Sequence, residues 1–100
     1  MNLERSYVLN VGSISIDKGP FQERGFTVHQ VAPGEVIAVA NYARLIVIAE
    51  PAGKIGLIRE YLEILKPISD DYGLAFAFLV SARELNTIEG LVAELSINHK

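Results

Sequence analysis

Leu45-Ile46-Val47-Ile48-Ala49-Glu50-Pro51-Ala52-Gly53-Lys54-Ile55-Gly56-Leu57-Ile58-Arg59 holds the change of period on which the fold turns. Leu45 to Ala49 is a continuous apolar run rich in β-branched side chains, the pattern of a buried strand. Pro51-Ala52-Gly53 ends it with turn residues. From Lys54 to Lys66 the apolar positions change to helical spacing. Ile55, Ile58, Tyr61, Leu62, Leu65 and Ile68 share one face, widened by Leu57 and Ile64. Arg59, Glu60, Glu63 and Lys66 cover the other, with Arg59 and Glu63 placed for an i,i+4 ion pair. Pro67 limits how far this helix runs unkinked, and Ser69 to Gly73 reads as a connection. Leu74 to Val80 has no polar residue, so it reads as a strand covered on both sides.

On the N-terminal side, Tyr7, Leu9 and Val11 alternate with Ser6, Val8 and Asn10, a period-2 strand. After Gly12 the phase shifts to Ile14 and Ile16, which points to a bulge or tight bend at the glycine. Asp17 to Gly25 is a polar loop holding one aromatic, Phe21, and Phe26 to Val31 is a short strand ended by Pro33-Gly34. Val36 to Ala40 and Leu45 to Ala49 read as two buried strands joined near Asn41-Tyr42, as a hairpin or one bent strand. At the C-terminal end, Leu85, Ile88, Leu91 or Val92, and Leu95 form a helical stripe. Ser81 and Asn86 are its candidate N-caps.

These elements make a single α+β domain over residues 1–100. A mixed sheet of about five strands carries two helices packed on one face, with a strand-rich N-terminal half followed by β-α-β-α. Residues 44–80 form a crossover long enough for parallel strands.

Half of the residues are hydrophobic, and counting the 8 Gly in place of the 4 Tyr lifts the apolar share above the roughly 45–50% of ordinary domains. A chain of 100 residues hides such a surplus with difficulty, which favours self-association or a partner. The net charge is -3 and neither half has a surplus of Lys and Arg, so nucleic acid is not an expected partner. With no cysteine there is no disulfide, thiolate metal site or Cys nucleophile. No signal peptide or membrane span is legible, and the expected location is cytoplasmic.

Catalytic sets are missing from the pattern. His29 and His99 stand alone, with His29 expected on the wetter face of its strand, and no metal-ligand spacing surrounds either. No serine stands in a Gly-x-Ser-x-Gly elbow. The carboxylate pairs Asp70-Asp71 and Glu60/Glu63 lie in a connection and on a polar helix face, where nothing separates their pKa values. The best ligand candidate is Gly53, Lys54 and Gly56, which follow a buried strand and open a helix. Backbone N–H groups and the helix dipole favour an anion there, and Lys54 adds a cation. The structural reading of the same residues is a turn, with Gly56 allowing close helix packing.

Ile48-Ala49-Glu50-Pro51-Ala52-Gly53-Lys54-Ile55-Gly56-Leu57-Ile58 resembles the strand–loop–helix opening of an ACT regulatory domain, over about 25 residues. The resemblance implies a small metabolite, often an amino acid, held near the loop glycine between paired copies. It stops short of that family's βαββαβ order, because one strand separates the two helices here. The expected function is a small non-catalytic protein-binding or self-assembling module of a regulatory or adaptor kind, with a protein partner or its own copies and no cofactor. The alternative is a metabolite- or anion-binding regulatory domain using Gly53, Lys54 and Gly56.

Overall fold

The computed structural model describes residues 5–95. Within them four strands form one sheet: β1 (Tyr7–Val11), β2 (Thr27–Gln30), β3 (Ala43–Ala49) and β4 (Ala75–Leu79). Four α-helices accompany them: α1 (Gly19–Glu23), α2 (Val36–Val39), α3 (Ile55–Tyr72) and α4 (Leu85–Glu94). The strand order is β2-β1-β3-β4 and every neighbouring pair is parallel. The α+β content stands, but the mixed sheet of about five strands is corrected to four parallel ones. Strand and helix alternate along the described chain, so the βαββαβ order of the ACT resemblance is absent as well.

The main difference lies at Val36 to Ala40. The expected hairpin strand is helical, running from a 3-10 turn at Pro33–Glu35 through α2 into a second 3-10 turn at Ala40–Tyr42. Val36 and Ala40 point into the core one turn apart, while Ile37 is exposed. Glu35 Oε1 takes the Ala32 N–H at 2.9 Å and Pro33 opens the turn, so the segment starts as helices start. Topology requires this. β2 and β3 run the same way on either side of β1, and a parallel connection needs a crossover in place of a tight turn.

The helix α3 also exceeds its expected end. It continues through Pro67 to Tyr72, so Ser69, Asp70 and Asp71 are helical rather than a connection. It stops at Gly73, whose φ of 68° is left-handed, and Leu74 N–H returns to Ser69 O at 2.9 Å. Arg5 closes the same end by donating Nη2 to Tyr72 O at 2.6 Å and Nε to Ala43 O at 3.2 Å. Arg59 pairs with Glu94 of α4, in place of the expected Glu63. Ser81 caps the 3-10 turn Ala82–Glu84 that leads into α4.

The two faces of the sheet are unequal. Leu9, Val11, Ile46, Ile48 and Phe76 meet α2, α3 and α4 through Val36, Ile58, Leu62, Leu65, Ile88, Leu91 and Val92 in the main core. On the opposite face Val8, Val28, Val47 and Ala49 are covered by Ile16 and by the half-buried Phe21 and Phe26, from the loop that carries α1. Phe21 thus folds back onto the sheet. β4 is an edge strand and Leu79 is 49% exposed, so the expectation of a strand covered on both sides fails for β4.

Candidate functional site

β1 and β3 are adjacent, yet the chain leaves them toward opposite edges, β1 to β2 and β3 to β4. In open parallel sheets such a switch point leaves a crevice at the carboxyl ends of the strands, where ligands are commonly held. Here those ends are Val11-Gly12-Ser13 and Ala49-Glu50. Gly12 has φ of 124°, and a Cβ on it would lie 2.1 Å from Ala49 O, so only glycine lets the two ends approach.

Glu50 fills the junction and is 1% exposed. Ser13 donates its Oγ to Glu50 Oε1 at 2.6 Å and its N–H to Oε2 at 3.2 Å; Tyr61 of α3 donates its hydroxyl to Oε2 at 2.7 Å. Burial pushes the Glu50 carboxyl upward, but the Ser13 and Tyr61 hydrogen bonds and the charge of Lys54 outweigh it. Its pKa ends below the ordinary 4.5. The Tyr61 hydroxyl is pushed up to about 12 by burial, by its bond to Glu50 and by that carboxylate's charge. A carboxylate so strongly held is a weak proton acceptor near neutrality. Glu50 therefore acts as an ionised fastener between β1, β3 and α3.

Neighbouring side chains tie down the loop after β1. The buried Asn10 donates Nδ2 to Ile14 O at 3.1 Å and accepts the Ile16 N–H on Oδ1 at 2.9 Å. Gln30 donates Nε2 to Gly12 O at 2.7 Å. Beside them an open crevice of about 490 Å³ is lined by Gly12, Ser13, Gln30, Pro33, Glu35 and Tyr61 among others. None of its lining residues is cationic, so it is poorly matched to phosphate.

The sequence-derived candidates lie outside that crevice. Gly53 has φ of 89° and sits in an exposed turn; Lys54 precedes the first residue of α3, and Gly56 lies in its first turn. A Cβ on Gly53 or Gly56 would meet nothing within 4 Å, so Gly56 is not a close-packing position. Gly53 N–H already donates to a carboxylate, Glu84 Oε2, at 3.1 Å. The other Glu84 oxygen is buried without a hydrogen-bond partner.

His29 lies on the main-core side rather than the wetter face, half-buried and packed against Tyr7 at 4.2 Å between ring centroids with the rings tilted by 42°. Its Nε2 has no hydrogen-bond partner. Asp70 pairs with Lys66 along α3. His99 and Ser96 lie outside the described residues. Among the described residues no group of three His, Asp or Glu is placed to hold a metal, and no helix is long and apolar enough to cross a membrane. Sequence reasoning missed Glu50 and its donors. The available signal was a carboxylate directly ending a buried run, opposite a glycine directly ending another.

A third feature is the outer flank of β4, Ala75-Phe76-Ala77-Phe78-Leu79, with which no other strand of the described residues pairs. It carries no charge or proline and its register with β3 is unbroken, so it lacks the devices by which edge strands usually discourage pairing. The chain matches no protein-family model, no curated protein and no solved structure.

Proposed function

We propose that this protein is a non-catalytic, self-assembling module whose contact is the β4 edge, with a second copy adding its own β4 in antiparallel register. The observation that carries this reading is an uncharged, wholly apolar strand at the rim of a parallel sheet, where strands are normally covered on both faces. β4 is complementary to itself. A two-fold axis through Ala77 sets Ala75 opposite Leu79 on one face and Phe76 opposite Phe78 on the other. Small thus meets large on the open face, and aromatic meets aromatic on the core face. No like charges oppose one another across that axis.

Light scattering coupled to size exclusion tests this with wild type, Ala77→Lys and Leu79→Lys. The wild type is expected at twice the 11.0 kDa chain mass. Ala77→Lys sets two ammonium groups face to face across the axis, so it should give monomer with an unchanged circular dichroism spectrum. Leu79→Lys, at an already exposed position, should weaken the dimer less. A wild type that stays monomeric at the highest concentration reached overturns self-assembly.

A metabolite- or anion-binding role for Gly53, Lys54 and Gly56 has one observation in its favour: the Gly53 N–H does hold a carboxylate. That carboxylate belongs to Glu84 of the same chain, so an outside anion must displace it. A thermal-shift screen of amino acids and phosphate separates the readings. The anion role requires larger shifts with Glu84→Gln than with wild type, and smaller ones with Lys54→Ala. No shift in any of the three rejects it.

A further inference from the structure

The second face of the sheet holds a concavity that the β4 edge does not explain. α1 is only five residues long, and the loop around it leaves part of the sheet uncovered. The gap is a groove of about 220 Å³ whose lining includes Val8, Leu45 and Ala75 from the sheet and Phe21 and Phe26 from the loop. Arg44 is the one charged residue in the lining. Its guanidinium lies 5.9 Å from the centre of the Phe26 ring, and its Nε donates to Arg5 O at 3.3 Å. Among the described residues no carboxylate pairs with it. The protein, which carries net negative charge, therefore places at an apolar hollow a cation with no carboxylate partner among the described residues.

We infer that this groove binds an apolar monocarboxylate, with the carboxylate on Arg44 and the hydrocarbon between Phe21, Phe26, Leu45 and Ala75. Apolar hollows with a single well-placed polar group are the usual form of small-ligand sites. The volume decides the size class. It falls below the roughly 300–1,000 Å³ of drug-sized pockets, so the occupant is one aromatic ring or a short alkyl chain. Charge decides the head group. A planar guanidinium offers paired N–H donors that match a carboxylate, and nothing in the lining would hold a cation. The inference does not require β4 pairing, because a monomer retains the groove; Ala75 is shared with the proposed β4 contact, and Arg44, which lies off β4, keeps the two tests apart.

Octanoate, with octanol as its uncharged counterpart, is the probe. Titration into ¹⁵N-labelled protein should move the amides of Val8, Phe21, Phe26, Arg44 and Leu45 before those of the crevice at Ser13 and Glu50. Octanoate should bind about tenfold more tightly than octanol, the scale of one charge-assisted hydrogen bond. Arg44→Gln, an exposed substitution, should erase that difference, bringing octanoate down to the affinity of octanol. Ala75→Leu should fill the groove and abolish both, with dispersion of the spectrum showing that the variant is folded. Equal binding of octanoate and octanol by wild type overturns the assignment of the head group. Shifts confined to other residues, or none at millimolar octanoate, overturn the site.

Discussion

Glu50 accepts three hydrogen bonds while almost wholly withdrawn from water, so its charge and its position are one property. Removing the charge and keeping the shape, as in Glu50→Gln, should destabilise the fold by about 1–3 kcal/mol at neutral pH. The pH dependence has a definite sign. Because the folded-state pKa lies below 4.5, the carboxylate stabilises the fold above that value and loses its contribution as the pH falls through the folded pKa. The melting-temperature gap between wild type and Glu50→Gln should therefore be constant from neutrality down to about pH 5 and close under more acid conditions. A gap that widens on acidification would contradict the assignment. Sequence hid this cluster because its members are 37 and 11 positions apart, and only the parallel pairing of β1 with β3 brings Ser13 to Glu50. Tyr61 was legible as part of an apolar stripe, and its hydroxyl was not. Gly12 was legible as a break in phase, whereas its reason, the nearby Ala49 carbonyl, is tertiary.

At the scale of elements, the long helix and its flanking strands were readable because their periods are strong and their lengths sufficient. Val36 to Val39 was not. Four apolar residues with β-branching satisfy strand and helix equally, and the deciding fact is that Val36 and Ala40 meet the same core. α3 raises a different point, because Pro67 lies within it, exposed, with no N–H to return to the preceding turn. Pro67→Ala restores that donor on an accessible face. It should stabilise the protein by about 1–3 kcal/mol, up to the interior cost of proline relative to alanine. Chemical denaturation should show a higher midpoint with an unchanged slope. A lower midpoint would mean that the proline shapes the packing of Leu62 and Leu65 against the sheet.

For the whole molecule, composition raises an expectation of association and gives it no location. The apolar surplus was legible from counts alone, but a central strand and a bare edge strand have the same composition. Only the order β2-β1-β3-β4 puts Ala75 to Leu79 at the rim. That order also has a temporal meaning. Of the four described strands the first made, β1, lies in the interior of the sheet, with β2 on one side and β3 on the other. The described sheet is therefore synthesised from its middle outward, and β4 is the last of the four strands to be made. The newest flank is also the unguarded one.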